Sequence, residues 1–346
     1  MELDARKMQI LQAIIDDYIM TAAPVGSRTI AKRADIFLSP ATIRNEMADL
    51  EEMGFLEQPH TSAGRIPSDK AYRLYVNSIM QRAKLTDAEV RYIRDHYSKR
   101  LDEVDEVVKQ TAWVLSSVTK YTAMVLAPQL HTIKLKYIHL VPIAEDKALA
   151  IIVTDTGMTR DSVIRIPRGM SPDALERLGK AMSARFQNCR LDEITLAEFN
   201  GLSGEVAAER EFLDGMLRSV QRSMAKDGRS VELSGATNIL NYPEYNDRDR
   251  ARALLTAIEE RDVLYKMLSE ATNVEFSVRI GNENEDESMQ DCSVVTATYK
   301  IGKNPIGSFG VIGPTRMDYA RVLAMMGQIG RSLSEVLTNM FEEERN

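Results

Sequence analysis

Between Asp4 and Met20 the apolar residues Met8, Leu11, Ile14, Ile15, Tyr18 and Ile19 recur at helical spacing, so they form one stripe of a helix that ends before Pro24. Ser27 stands where it would cap a second, short helix, SRTIAKRA, with Ile30, Ala31 and Ala34 facing inward. In the third helix Ser39 takes the N-cap and Pro40 the first helical position; Ile43, Met47 and Leu50 make the apolar stripe, and Gly54 closes it. A strand at Phe55 to Gln58, the loop HTSAGR and a second strand at Ile66 then predict a hairpin, with Gly64 allowing φ > 0 at its tip. SDKAYRLYVNSIM resumes as helix behind a possible Ser68 cap, with Ala71, Leu74, Tyr75 and Ile79 inward. Three helices followed by a hairpin are the elements of a winged helix-turn-helix.

Further on the periodicity changes twice. Leu85 to Tyr97 and Leu101 to Val118 are charge-rich connector helices, the second carrying the only tryptophan, Trp113, as a packing residue. From Tyr121, the segments TAMVLAP, KLKYIHLVPI, ALAIIVTDTG and MTRDSVIRIP are apolar and partly alternating, which predicts an antiparallel sheet. A helix over Asp173 to Phe186 follows. The strand pattern returns in VEFSVRIG, CSVVTATYKI and IGSFGVIGP before a last helix from about Met317 to Phe341. Between the halves, Gly204 to Met224 and Asp247 to Ala271 suggest helices around a short VELSGATNIL strand, so residues 200–270 look like an insertion. The fold class is therefore α+β.

The third helix carries the candidate chemistry. Opposite its apolar stripe lie Ala41, Asn45 and Ala48, flanked by Thr42 and Arg44. Alanines let the backbone approach a DNA groove, Asn45 suits an adenine edge, and Arg44 suits guanine or phosphate. Ser27, Arg28 and Ser39 stand at the two helix starts, and the hairpin loop adds His60, Thr61, Ser62 and Arg65. Glu46, Asp49, Glu51 and Glu52 fall in the later turns, as they would if the helix entered the groove by its N-terminal end.

Net charge complicates that picture. The 346-residue chain carries −7, and residues 1–80 hold 9 Lys and Arg against 11 Asp and Glu, so a basic footprint is missing. What remains is segregation, with Arg28, Lys32, Arg33, Arg44, Arg65, Lys70 and Arg73 on elements expected to meet phosphates. Weak attraction per monomer makes a symmetric dimer on an inverted repeat the natural solution. An apolar fraction of 44% and a charged fraction of 27% are those of a soluble globular protein, and MELDARKM lacks the character of a signal peptide. No apolar run approaches membrane-spanning length, which points to the cytoplasm. Cys189 and Cys292 have no metal-binding spacing and are expected as buried thiols.

PVGSRTIAKR, LSPATIRNEMADLEEMGFLEQPHTSAGRIP and IGPTRMDYAR together resemble the HrcA family of heat-inducible transcription repressors. The resemblance covers nearly the whole chain. One departure is ADIF, the turn before LSP, which lacks the glycine expected there. The resemblance implies a winged-helix DNA-binding domain (residues 1–80), a helical connector (81–120), a GAF-like domain (121–199 and 271–346) and an inserted dimerisation region (200–270). It also implies a homodimeric repressor of chaperone genes that binds a double-stranded inverted-repeat operator and is modulated by the chaperonin GroEL. No cofactor, metal or membrane is implied. In the dimerisation region Leu254, Leu255, Ile258, Leu264, Met267 and Leu268 would form an interface shared with local core.

Other motifs carry less. The glycines of GSFGVIGPTRMDY suit an anion cradle with Arg316, yet match no nucleotide-binding spacing, and a structural turn is favoured. NENEDESMQD lacks the ligand positions of a calcium loop and is expected to be solvated. His131 and His139 have no nucleophile beside them, and an enzyme is not indicated. Tyr242, Pro243 and Tyr245 could be interface anchors or local core. A competing reading is a winged-helix regulator whose GAF-like domain senses a metabolite.

Overall fold

Asp4 accepts a hydrogen bond from the Lys7 N–H at 2.7 Å and so opens helix α1, Ala5–Thr21, which buries Ile10, Leu11, Ile14 and Ile15. This computed structural model describes residues 3–60, 64–81, 83–97, 104–128, 134–154, 159–167, 169–190, 194, 230–271, 274–302 and 304–343. Helix α2 is Ser27–Ile30 and α3 is Pro40–Glu52; strands β1 (Leu56–Glu57) and β2 (Ile66–Pro67) pair antiparallel. Helix α4, Asp69–Leu74, runs on into a wider turn, Tyr75–Ile79. The expected winged helix-turn-helix forms around Ile10, Ile14, Ile30, Ile43 and Leu50, all fully buried.

Two details of that domain differ from the sequence expectation. Helix α2 stops at Ile30, and Ser27 is its first residue, behind Gly26 at the cap. Tight three-residue turns then carry the chain to Ile36, which is buried in place of the exposed Ala34. Gly64 does not need a positive φ. A Cβ there would lie 2.4 Å from the Val25 carbonyl oxygen, so close approach to that strand-like segment requires glycine.

Helices α5 (Asp87–Tyr97) and α6 (Val104–Thr119) lead to β3, Thr122–Leu126. β3 is the second strand of a five-stranded antiparallel sheet ordered β7, β3, β10, β9, β8. The partners are β7 (Val231–Ser234), β8 (Phe276–Ile280), β9 (Cys292–Ile301) and β10 (Asn304–Pro314). The apolar runs are continuous because both faces are covered. Ala123, Val125, Phe309 and Val311 pack with α6 and the last helix, α10 (Tyr319–Glu343), while Met124, Leu126, Val294 and Ile312 meet the helices that follow β7.

The sheet expected across residues 121–167 therefore divides. β4 (Leu135–Ala144), β5 (Lys147–Thr154) and β6 (Thr159–Arg165) form a separate three-stranded sheet. Leu135, Ile138, Leu140, Ala148, Ala150, Ile152 and Ile164 face α7 (Pro172–Phe186) and share its apolar cluster. The expected insertion needs a second correction. Its β7 pairs with β3, and its helices α8 (Arg248–Glu259) and α9 (Arg261–Glu270) cover the five-stranded sheet. Leu254, Ile258, Leu264, Met267 and Leu268 are buried there, so they are core of this chain. The helix expected over Gly204 to Met224 lies outside the described residues, as does His131.

The smaller expectations resolve individually. Trp113 is 46% exposed and lies tilted against His96, with ring centroids 5.2 Å apart, so it does not pack inside. Tyr245 is local core, and Tyr242 stacks over Tyr121 at 5.4 Å. Cys292 is buried and Cys189 half-buried. The acidic loop is held by neighbouring elements: Glu283 and Glu285 pair with Arg73 and Lys266, and Asn284 is buried. Arg316 is held by Glu244 and by the Ile19 carbonyl at 2.8 Å, which agrees with a structural turn.

Candidate nucleic-acid interface

The start of α3 is fixed by its own side chains. Ser39 Oγ accepts from the Thr42 N–H at 3.1 Å and lies 2.9 Å from Thr42 Oγ1, which satisfies an N-terminal donor and orients both hydroxyls. Pro40 occupies the first turn, and Gly54, at φ 76°, lies just past the C-cap Met53. With Ile43, Met47 and Leu50 buried, Ala41, Arg44, Asn45 and Ala48 emerge together on the exposed side. Thr42 is half-buried at its edge. Two methyl side chains beside an amide and a guanidinium make a surface that can approach base edges closely.

The carboxylates of α3 are neutralised from behind rather than merely displaced. Lys7 Nζ lies 2.7 Å from Glu46 and 2.9 Å from Asp49, and Arg6 reaches Glu46 at 3.4 Å. The hydrogen bonds that Lys7 donates to Glu46 and then to Asp49 hold its ammonium above its ordinary pKa. Glu51 takes Arg65 at 2.7 Å. Glu46, Asp49 and Glu51 are thus paired within the domain, and their repulsion of a phosphate backbone is reduced.

The same pairing sorts the candidate cations. Arg33 is surrounded by Asp16, Asp17 and Asp35; Lys70 donates to the Met53 carbonyl at 2.8 Å and sits over the Phe55 ring. Arg73 is paired with Glu283. Arg28, Lys32 and Arg44 are exposed and form no ion pair among the described residues. These three are the cations free to meet phosphate or base.

Two expectations change on this geometry. Ser27 is only 8% exposed, because it sits inside the first turn of α2 and not at its cap, leaving little surface for a ligand. Arg65 is not a free donor on the hairpin loop. Its side chain is 20% exposed and tied to Glu51, and its backbone bridges Val25 through two 2.9 Å hydrogen bonds. His60 is exposed, whereas Thr61 and Ser62 lie outside the described residues. Nothing in the residue pattern signalled Lys7 as the partner of α3. Nor does the pattern single out Phe37, 92% exposed in the turn before Ser39.

Comparison with known proteins decides the family. The family model "Winged helix-turn-helix transcription repressor, HrcA DNA-binding" matches residues 2–80, and "HrcA protein C terminal domain" matches residues 105–323. The chain belongs to the HrcA family of heat-inducible transcription repressors. The heat-inducible transcription repressor HrcA of Ruminiclostridium cellulolyticum is 42% identical over 99% of this chain and 99% of that protein. That of Brevibacillus brevis is 40% identical over 99% of this chain and 100% of that protein. A crystal structure at 2.2 Å, described as a hypothetical protein, shares the fold with a TM-score of 0.64 at 24% identity, covering 98% of this chain and 100% of that one. HrcA proteins are repressors rather than enzymes, and the exposed face of α3 belongs to their DNA-binding domain. Among the described residues no helix is long and apolar enough to cross a membrane.

Proposed function

We propose that this protein represses heat-shock chaperone genes by binding an inverted-repeat operator as a homodimer in the cytoplasm, with the chaperonin GroEL as modulator. The observation that carries the DNA reading is the uncompensated side of α3, Ala41, Arg44, Asn45 and Ala48, with Glu46, Asp49 and Glu51 paired behind it. Arg28 and Lys32 supply phosphate contacts beside it, while Ser39 and Thr42 orient its first turn.

The outer face of the three-stranded sheet supports a homodimer contact. Tyr137, Val141, Ile143 and Val163 stand there exposed at 36%, 44%, 52% and 56%, beside half-buried Leu149, Ile151 and Val153. Such a face suits a second copy of the chain. Chaperonin dependence fits the topology. β3 near the start of the sheet domain pairs with β10 near its end, and long-range pairing of this kind folds slowly and leaves strand edges open meanwhile. A chaperonin occupied by heat-damaged chains would then leave less active repressor.

Footprinting the purified protein across genomic DNA tests this reading. Protection of a two-fold symmetric site upstream of chaperone genes is expected; protection elsewhere, or none, contradicts it. A ligand-responsive regulator has one observation in its favour, an open cavity of about 770 Å³ between the connector and α10. Phe276, Phe309 and Met326 line it, with Lys84, Lys300 and Arg331 at its rim. A metabolite that shifts operator affinity would favour that second reading.

A further inference from the structure

The winged-helix domain is joined to the sheet domain by polar contacts that are directional. Asp69, the first residue of α4, accepts from both the backbone N–H and the side-chain amide of Asn282 at 3.0 Å. A Cβ on Gly281 would lie 2.1 Å from the Asp69 carboxylate, and Gly281 holds φ 53°, so the loop is shaped to admit that carboxylate. One turn later Arg73 places Nε 2.8 Å from Glu283 and a terminal nitrogen 2.5 Å from the Val278 carbonyl. Its second contact with Glu283 makes the pair two-pronged. On the other side of the domain, Arg316 donates to the Ile19 carbonyl in the last turns of α1, and Tyr72 packs against Tyr319 with ring centroids 6.0 Å apart.

A planar guanidinium on a carboxylate fixes angle as well as distance, and a carboxylate seated on adjacent donors fixes a second point. Two fixed points on one short helix, with a third at α1, prevent the winged helix from pivoting on the sheet domain. In a dimer, that angle determines how far apart two α3 helices stand, hence which half-site separation can be occupied at both ends.

We propose that Asp69 and Arg73, with Asn282 and Glu283, are positioning residues that set the half-site spacing the dimer accepts. This rests on the reading of a dimer on an inverted repeat. Loss of the joint would cost avidity on the correct spacing and would widen the range of spacings bound, without touching the recognition surface.

The test uses the full-length chain on duplexes that carry the footprinted repeat with its spacer altered in one-base-pair steps to about half a helical turn either way, and on a single half-site. Glu283→Gln is the cleaner variant, because Glu283 lies on the sheet domain, opposite Arg73 and away from α3. Arg73→Glu and the exchange Arg73→Glu with Glu283→Arg complete the set, and urea unfolding checks that each is folded. Glu283→Gln and Arg73→Glu are expected to lose about tenfold on the native spacer, to flatten the spacer profile and to leave half-site affinity unchanged, with the exchange restoring the profile. A variant profile of wild-type shape, or an equal loss on the half-site, overturns the proposal. A wild-type chain indifferent to spacer would instead contradict the dimeric reading, and that result needs no variant to appear.

Discussion

Lys7 and Glu46 lie 39 residues apart in sequence, yet their side chains meet at 2.7 Å, so the first helix neutralises a carboxylate of α3. Asp49 shares the same ammonium at 2.9 Å. The acidic middle of α3 is thereby made compatible with a phosphate backbone.

Lys7→Met should therefore weaken binding to operator and to unrelated duplex by the same factor, because it frees two anions without altering the reading face. In a Glu46→Gln, Asp49→Asn background the Lys7 change should have no effect. Competition titrations on both duplexes check this. A loss confined to the operator would place Lys7 in base recognition instead.

The Ser39 cap is a local stability element. Ser39→Ala removes the acceptor for the Thr42 N–H and should lower unfolding free energy by about 1 kcal/mol, read as a lower urea midpoint at unchanged slope. Ser39→Asp should retain most of it. Equal midpoints for wild type and Ser39→Ala would contradict the cap.

Leu254 and Val163 separate core from interface. Leu254 is 2% exposed between α8 and the sheet, so Leu254→Ala should cost about 2–5 kcal/mol of stability. Val163 is 56% exposed, so Val163→Asp should leave the urea midpoint near wild type while shifting sedimentation toward monomer. A stable dimer in Val163→Asp would redirect the search for the dimer contact.

The pH dependence of the domain joint follows from Glu283. Burial pushes its carboxyl pKa up, but the hydrogen bonds from Arg73 and the Ile280 N–H outweigh that and hold it below its ordinary 4.5. A carboxyl lowered in the folded state contributes stability that is complete above about 4.5 and is lost as pH falls through the lowered value. The urea midpoint of the wild type should therefore fall more steeply below pH 4.5 than that of Glu283→Gln. Parallel curves would deny the pair its role.

The caps and stripes of the winged helix were legible because each rests on residues within a few positions: Ser39 with Thr42, Ile43 with Met47 and Leu50, Ser68 with Ala71. The exposed face of α3 followed from the same periodicity. What could not be read is long-range. Apolar strands look alike whether both faces are covered or one, so the residue pattern alone joins β4 to β6 with β3 and sets β7 apart from the sheet it borders. Charge partners are equally silent in sequence. Arg65 and Arg73 have the composition of phosphate contacts, but Glu51 and Glu283 already hold them.

The central claim is that α3 reads bases through Arg44 and Asn45, and a binding titration over single-base operator variants, unrelated duplex and a salt series tests it most directly. Arg44→Ala and Asn45→Ala should each cost about 1–3 kcal/mol on the operator and relax preference at particular base pairs. Arg28→Ala and Lys32→Ala should each reduce the slope of log K against log salt by about 1 at unchanged base preference. Arg65→Ala, which frees the hairpin from Glu51, should weaken all duplexes alike with the slope unchanged. If Arg44→Ala and Asn45→Ala leave base preferences intact while Arg65→Ala alters them, the hairpin and not α3 lies in the major groove.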